Sequence, residues 1–264
     1  MARPTGAVSY DNTGRVILVT GGARGIGRAI VEGFLESGCD GAVIFDALPP
    51  DEALPERVAW RQGDVTSETD CRAAVELAVR RFGGLDVLVN NAAIQPPESY
   101  RTMAEIDMEL WRRMLDVNVT GYAMMAKAAL RVMLPQESGV ILNIASAQAH
   151  RTARETPAYG PAKAANVMQA MQWGVEFARS GIRVASISPG AIATPLLKAT
   201  LAAQGGEEEL ANRHPLGRLG TPEEVAQAVL WLASPAASFV TATDLQVDGG
   251  LGAFAAFAAP YPRS

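Results

Sequence analysis

The chain has 264 residues, with 23 basic and 28 acidic side chains and a formal net charge of −5. This length suits one α/β domain, and a hydrophobic content of 48% can build its core without a metal or disulfide. No basic tract indicates a nucleic acid partner, and no apolar run approaches the roughly 18 residues that span a bilayer. Two cysteines, Cys39 and Cys71, and two histidines, His150 and His214, are too widely spaced for a metal or redox motif. We therefore expect no metal, two buried free thiols and a reducing, cytoplasmic setting.

Seven short apolar runs alternate with longer segments of helical period along the whole chain. The predicted strands are residues 15–20, 42–46, 58–63, 85–90, 139–145, 182–188 and 244–248. Several of them lack polar alternation, which is typical of strands buried on both faces. The pattern predicts an α/β fold of one domain over residues 1–264, a doubly wound, Rossmann-type sheet of seven parallel strands with helices on both faces.

Two features of the last third of the chain concern helix boundaries. Thr221, Pro222 and Glu224 form the signature of a helix start, in which the threonine caps and the glutamate closes a capping box. Residues 195–220 have a helical pattern that Gly205 and Gly206 interrupt. This segment is interpreted either as a mobile flap over the substrate or as a surface helical hairpin.

A glycine-rich turn follows the first predicted strand and precedes a helix. It reads Thr20-Gly21-Gly22-Ala23-Arg24-Gly25-Ile26-Gly27. Glycines let the backbone approach a pyrophosphate, and a helix N-terminus offers free N–H groups and the positive end of a dipole. The turn therefore predicts a dinucleotide site.

The end of the second strand bears on the choice of dinucleotide. Asp46 stands 19 residues beyond Gly27, where a carboxylate accepts hydrogen bonds from the adenosine ribose and repels a 2′-phosphate. Arg24 is the opposing feature because it could pair with such a phosphate, but Ala47 and Leu48 supply no second cation. We therefore expect NAD rather than NADP.

A phenol and an ammonium stand four residues apart at Tyr159 and Lys163, hence on one face of a helix. A tyrosine with an ordinary pKa near 10 becomes a useful acid or base at neutral pH if a nearby cation stabilises the phenolate. Ser146 ends the fifth strand, at the sheet edge where ligands of open α/β folds bind. These three residues predict proton exchange with an alcohol or ketone oxygen during hydride transfer.

Taken together, the motifs resemble those of the classical short-chain dehydrogenase/reductase family over essentially the whole chain. The further motifs that carry the resemblance are Asp64-Val65, Asn90-Asn91-Ala92, Asn118, Pro189-Gly190 and Asp248-Gly249-Gly250. The resemblance implies a catalytic tetrad. In it Tyr159 is the acid/base, Lys163 lowers its pKa and holds the nicotinamide ribose, Ser146 orients the substrate oxygen, and Asn118 holds a water that links Lys163 to solvent.

The resemblance also implies a set of cofactor contacts. Asp64 and Val65 would meet the adenine, Asn90 would line the ribose, and Ile192 and Thr194 would bind the carboxamide. The full set of predicted cofactor residues is Gly21, Arg24, Gly25, Ile26, Gly27, Asp46, Asp64, Val65, Asn91, Ala92, Tyr159, Lys163, Pro189, Gly190, Ile192 and Thr194.

Two residues depart from the family pattern. Ala93 stands where a glycine is usual, which would shift the loop beside the nicotinamide. Pro161 lies between Tyr159 and Lys163 and disfavours a helix interior. Because proline is tolerated in a first turn, we expect this helix to begin close to residues 156–157.

The substrate is predicted to be small and polar: a sugar, polyol or hydroxy acid. The unusually polar residues 147–155 follow Ser146, and the predicted substrate contacts are Gln95, Gln148, His150 and Leu196. His150 or an arginine would meet an anionic group. The alternative is that His150, Arg151 and Arg154 are solvated loop or subunit-interface residues, and it is slightly favoured for the two arginines. In the apolar C-terminal tail, Phe254 and Phe257 are expected to pack against a neighbouring subunit of a homotetramer or to cover the pocket.

Two other functions stay open on the sequence. One is an NADPH-linked 3-oxoacyl thioester reductase on the same scaffold, against which Asp46 argues. The other is a non-catalytic dinucleotide sensor, which would have no need of Ser146, Tyr159 and Lys163 together.

Overall fold

The computed structural model describes residues 8–201 and 206–254. The seven strands are β1 (Val16–Thr20), β2 (Gly41–Asp46), β3 (Val58–Gln62), β4 (Val87–Asn90), β5 (Gly139–Ile144), β6 (Ile182–Pro189) and β7 (Thr243–Val247). They form one parallel sheet in the order β3-β2-β1-β4-β5-β6-β7. The predicted doubly wound fold is confirmed, and each strand ends within two residues of its predicted bounds.

In the described part of the chain, eight α-helices connect or flank the strands. They are α1 (Gly25–Glu36), α2 (Glu68–Phe82), α3 (Met108–Leu115), α4 (Gly121–Gln136), α5 (Tyr159–Phe177), α6 (Pro195–Thr200), α7 (Glu207–Asn212) and α8 (Pro222–Ala233). A π-helical turn, Asp116–Thr120, joins α3 to α4 without a break. The predicted capping box is confirmed at the start of α8, where Thr221 and Glu224 accept each other's backbone N–H.

The core has two layers because successive strand residues point to opposite faces of the sheet. Ile17 packs with helices α1 and α8 on one face, whereas its neighbour Leu18 packs with α2 and α4 on the other. Both residues are completely buried. The apolar runs in the sequence thus mark strands that are covered on both sides. Cys39 and Cys71 are buried free thiols, as predicted.

The start of α5 differs slightly from the prediction. The helix begins at Tyr159, two residues beyond Pro157, with Ala158 as its N-cap. Pro161 is therefore the third residue of the helix, where no backbone N–H is needed for an intrahelical bond. The proline leaves the spacing of Tyr159 and Lys163 on one helical face intact.

The segment 195–220 begins with α6 and contains α7. Its base is closed because Ile192 forms a parallel bridge with Gly220. Among the described residues, no helix is long and apolar enough to cross a membrane. Nor do the described parts of the chain bring three or more histidine, cysteine, aspartate or glutamate side chains into a metal-binding group.

Candidate active site

Two adjoining cavities lie along the C-terminal edge of the sheet. One, of about 470 Å³, runs from the glycine turn past Asp46 and Asp64. The other, of about 410 Å³, contains Ser146, Tyr159 and Lys163 in its wall. Ile26 and Asn91 are among the residues that line both cavities, so the two are halves of one cleft.

The first cavity fits a dinucleotide at the glycine turn. Gly25 adopts a positive φ of 56°, which favours glycine, and opens α1 toward the cavity. At Gly27 a Cβ atom would lie 2.2 Å from the Gly21 carbonyl oxygen, so only glycine permits this close turn. The first N–H groups of α1 therefore face the cleft without side chains in the way.

Asp46 lies where the sequence predicts it, at the end of β2 and in the wall of this cavity. Its carboxylate accepts hydrogen bonds from the backbone N–H groups of Ala23, at 3.0 Å, and Leu48, at 3.1 Å. These bonds hold a negative charge in place beside the glycine turn. Arg24 has an acidic neighbour of its own, because its guanidinium is 3.8 Å from Asp51.

The other predicted cofactor residues divide into three groups. Those that line the first cavity are Gly21, Arg24, Gly25, Ile26, Asp46, Asp64, Val65, Asn91, Ala92 and Thr194. Those that line the second include Tyr159, Lys163, Pro189, Gly190, Ile192 and Thr194. Gly27 lies beneath the turn and lines neither cavity.

Asn90 and Asn91 have different positions. Asn91 lines both cavities, and its side chain donates to the carbonyl oxygens of Thr20 and Gly21. Asn90 is completely buried and donates to Asn143 and to the Tyr122 backbone. The expectation that Asn90 lines the ribose is thus wrong, because its amide joins β4 to β5 inside the sheet.

The predicted catalytic side chains converge at the end of β5 and the start of α5. Tyr159 forms a side-chain hydrogen bond with Ser146. The ammonium of Lys163 lies 5.7 Å from the centre of the Tyr159 ring. Ser146 accepts the backbone N–H of Gln148, at 3.1 Å, and so caps a short 3₁₀ turn. A phenol, a hydroxyl and an ammonium are thus assembled in one cavity wall.

Asn118 lies in the π-helical turn, fully buried. Its side chain accepts the backbone N–H of Ile94, at 2.8 Å, and donates to the carbonyl oxygen of the same residue, at 2.9 Å. Asn118 therefore fixes the loop after β4 against the helix that supports the site. It lines neither cavity.

Burial governs the pKa values of Tyr159 and Lys163. It raises the pKa of Tyr159 to about 12, which the hydrogen bond with Ser146 opposes. It also lowers the pKa of Lys163 to about 7. With a pKa of about 7, Lys163 carries only part of its charge at neutral pH, and burial dominates the pKa of Tyr159.

Tyr122 is a neighbour of the site that sequence reasoning missed. Its hydroxyl accepts a hydrogen bond from Lys163, at 3.2 Å, and donates to the Ile144 carbonyl oxygen, at 3.0 Å. Lys163 also donates to that oxygen, at 2.8 Å. A second missed residue is Arg113, which lines the first cavity and pairs with Asp64 at 2.9 Å.

The predicted substrate residues separate in the structure. Gln95, Gln148 and Leu196 line the second cavity, whereas His150 does not. The His150 ring instead lies 2.8 Å from Asp244, a nearly buried carboxylate that also accepts bonds from Ser186 and Ser188. Phe254 lines the second cavity, in agreement with the alternative that the tail covers the pocket. Phe257 lies outside the described residues.

His214 joins two walls of the second cavity. Its Nε2 accepts the backbone N–H of Ala191, at 3.1 Å, in the loop after β6. The Ala191 amide can only donate, so Nδ1 carries the ring hydrogen and donates to the Leu210 carbonyl oxygen of α7, at 2.8 Å. The ring is 2% exposed.

Comparison with known sequences decides the family. The sequence model described as enoyl-(acyl carrier protein) reductase matches residues 21–252. The chain belongs to the classical short-chain dehydrogenase/reductase family. A cis-4-hydroxycyclohexanecarboxylate dehydrogenase of Sinomonas cyclohexanicum is 40% identical over 242 residues, which are 89% of this chain and 96% of the relative.

Solved structures of this family share the fold. Aldohexose dehydrogenase of Thermoplasma acidophilum is 34% identical, with a TM-score of 0.87 over 95% of this chain and 98% of that one. Two others hold different dinucleotides. ElxO has NADP bound, at 30% identity and a TM-score of 0.83 over 91% of this chain and 99% of that one. A 3-ketoacyl-(acyl-carrier-protein) reductase of Brucella melitensis is complexed with NADH, at 31% identity and a TM-score of 0.84 over 92% of this chain and 100% of that one.

Proposed function

We propose that this protein is an NAD-linked dehydrogenase that interconverts a secondary alcohol and a ketone on a small polar substrate. Its family membership makes it an NAD(P)-dependent oxidoreductase. The observation that carries the finer proposal is the meeting of Ser146, Tyr159 and Lys163 in one cavity wall, beside the cavity that contains the glycine turn and Asp46. The nicotinamide ring, when bound, supplies the hydride acceptor or donor.

The four predicted catalytic residues have separate roles in this proposal. Tyr159 takes the hydroxyl proton during oxidation and returns it during reduction. Ser146 donates to the substrate oxygen and sets its position. Lys163 binds the nicotinamide ribose hydroxyls and, once charged, favours the phenolate of Tyr159. Asn118, which fixes the loop after β4 at Ile94, would hold a water that links Lys163 to solvent.

NAD is preferred over NADP because of Asp46. Its carboxylate is fixed by two backbone N–H groups in the wall of the first cavity, where the 2′-phosphate of NADP would meet a like charge. The guanidinium of Arg24 lies near Asp51, which reduces its attraction for such a phosphate.

The substrate end of the proposal rests on Gln95 and Gln148. Each lines the second cavity and has one buried amide atom without a hydrogen-bond partner, Nε2 of Gln95 and Oε1 of Gln148. Such atoms cost about 1–3 kcal/mol unless they are satisfied. Substrate hydroxyls would offset this cost with modest side-chain movement. Residues 195–220, which carry Leu196, would serve as a flap that closes on the substrate.

The assembly is proposed to be a cytoplasmic homotetramer. Met168 and Val175 are seven residues apart on α5, hence on one helix face, and their exposed fractions are 62% and 73%. Phe239 is fully exposed. Association of subunits through these side chains would remove them from water.

The test is a comparison of the wild-type protein with Tyr159→Phe. Purified protein is supplied with NAD⁺ or NADP⁺ and a panel of sugars, polyols, hydroxy acids and steroid alcohols, and the reduced dinucleotide is followed by absorbance. We expect oxidation with NAD⁺, and loss of turnover in Tyr159→Phe with unchanged NAD affinity. The matched control is Tyr10→Phe, at a partly buried tyrosine that packs on the α1 side of the core and lines neither cavity. Turnover in Tyr159→Phe would contradict the mechanism, and faster reduction of 3-oxoacyl thioesters with NADPH would favour the reductase alternative.

A further inference from the structure

The charged side chains of the second cavity are all basic among the described residues that line it. They are Lys163, Arg151 and Arg213, and no aspartate or glutamate is among the described lining residues. This is unexpected in a chain with more acidic than basic residues. The first cavity is different, since Asp46 and Asp64 are present there as well as arginines. The basic character is thus specific to the half of the cleft that contains Tyr159.

Lys163 does not account for this basic character, because it is buried behind Tyr159 and bonded to Ile144 and Tyr122. The other two cations come from different walls. Arg151 follows the 3₁₀ turn that Ser146 caps, and one of its nitrogens donates to the His150 carbonyl oxygen at 2.9 Å. Arg213 immediately follows α7, with Glu209 at 3.7 Å. Both arginines are exposed as well as part of the cavity wall, so each connects the cavity to solvent.

The interior of the same cavity is mostly apolar. Leu197, Leu210, Leu251 and Phe254 line it. The walls thus offer an apolar space for a carbon skeleton, two glutamine amides for hydroxyls, and two guanidinium groups toward solvent. A guanidinium presents a planar pair of donors that matches a carboxylate.

We propose that the substrate is a hydroxy acid with an apolar body, and that Arg151 and Arg213 bind its carboxylate while the secondary alcohol lies at Tyr159. This inference rests on the proposed function for the position of the alcohol. It adds Arg213, which the sequence did not suggest, and selects the anionic class from among sugars, polyols and hydroxy acids.

The test measures binding without turnover, so that it does not depend on the redox reaction. Cyclohexanecarboxylate and its neutral isostere cyclohexanecarboxamide are titrated by calorimetry into the NAD-saturated protein. We expect the carboxylate to bind about ten- to a hundredfold more tightly than the amide, since hydrogen bonds between charged partners are stronger than neutral ones. The preference should shrink in 0.5 M NaCl because the guanidinium groups are close to solvent.

The variants Arg151→Gln, Arg213→Gln and their combination identify the residues. In the double variant the preference for the carboxylate should fall to near one, whereas Arg154→Gln, on the same loop but outside the cavity wall, should keep it. Equal binding of the two ligands, or an unchanged preference in the double variant, would overturn the inference. A loss of NAD affinity with an unchanged carboxylate preference would also overturn it, by assigning the arginines to the dinucleotide.

Failure of this inference is distinguishable from failure of the proposed function. An enzyme that oxidises neutral sugars with NAD⁺ but shows no carboxylate preference keeps the proposed function and loses the anion site. A protein that selects the carboxylate but shows no oxidation across the substrate panel keeps the anion site and loses the proposed function.

Discussion

The ammonium of Lys163 donates to the hydroxyl of Tyr122 at 3.2 Å, and both groups donate to one acceptor, the carbonyl oxygen of Ile144. Lys163 is 2% exposed and Tyr122 1%. A buried ammonium needs acceptors to remain charged. Tyr122 is thus a positioning residue for Lys163, and it reaches the site from α4 while Lys163 belongs to α5.

Replacement of Tyr122 by phenylalanine should weaken dinucleotide use more than the chemical step. With one acceptor fewer, the pKa of Lys163 should fall further below its ordinary value, so that less of the ammonium is present to bind the ribose. We expect kcat/KM for NAD to fall about three- to tenfold at pH 7.5, with its basic limb moved to lower pH. A purely structural role for Tyr122 would lower thermal stability and leave the basic limb of the pH profile in place. The variant Tyr10→Phe measures how much stability is lost when a tyrosine hydroxyl is removed elsewhere.

Stability should increase with pH between about 7 and 9 because of Lys163. Burial lowers its pKa in the folded state to about 7, against an ordinary 10.5, so in this window the unfolded chain binds a proton that the folded chain does not. The free energy of unfolding therefore rises by about 1.4 kcal/mol per pH unit across this window, and this gain is lost as the pH falls to 7. Above pH 9 this increase in stability is opposed by Cys71. Burial raises the pKa of its thiol to about 12, so the unfolded chain loses that proton at a lower pH than the folded chain does.

Urea unfolding at pH 7 and pH 9 checks this dependence. The gain in unfolding free energy between the two pH values should be about 2 to 3 kcal/mol smaller in Lys163→Met than in the wild-type protein. Lys127→Met, at an exposed lysine paired with Glu68, is the control and should behave like wild type. The same gain in Lys163→Met as in wild type would show that another group is responsible.

Asp46→Asn should change the choice of dinucleotide. Asparagine keeps one acceptor oxygen but loses the charge, so the hydrogen bonds from the ribose hydroxyls are weakened and the repulsion of a 2′-phosphate is removed. We expect the ratio of kcat/KM for NAD to that for NADP to fall about ten- to a hundredfold. Asp51→Asn removes the exposed carboxylate near Arg24 and should move the ratio far less; a similar change in both variants would contradict a specific role for Asp46.

Gly27→Ala should prevent formation of the glycine turn. The added Cβ would lie 2.2 Å from the Gly21 carbonyl oxygen and 2.7 Å from Nδ2 of Asn91. Overpacking of this kind costs about 1–3 kcal/mol or more, and displacement of the turn should abolish NADH binding in a fluorescence titration. At Gly84 the nearest atom to an added Cβ is the side-chain end of Gln136, at 3.3 Å, so Gly84→Ala should bind NADH normally.

His150→Ala should affect stability more than substrate selection. The variant removes one partner from the nearly buried Asp244, and a loss of about 1–3 kcal/mol in unfolding free energy is expected. The ratio of affinities for cyclohexanecarboxylate and its amide should stay unchanged, because His150 does not line the cavity. If the affinity ratio falls while the stability is unchanged, His150 contributes to the substrate site after all.

The sheet and the convergence of the motifs could be predicted because they depend on short-range patterns. Apolar runs such as Val16–Thr20 are typical of strands covered on both faces, and parallel strands bring Asp46 and Ser146 to the same sheet edge. The neighbours of the site depend on distant pairings. Tyr122 meets Lys163 across 41 residues and His150 meets Asp244 across 94, and local polarity carries no signal of either contact.

The buried ring of His214 has a mechanical consequence. It bonds the loop after β6 at Ala191 and the helix α7 at Leu210, and both lie in the wall of the cavity that contains Tyr159. An outward movement of α7 must either move that loop as well or break one of the two hydrogen bonds of this buried ring. The helix α7 and the loop after β6 are therefore coupled through His214. Entry of a substrate and release of a nucleotide would then depend on the same movement.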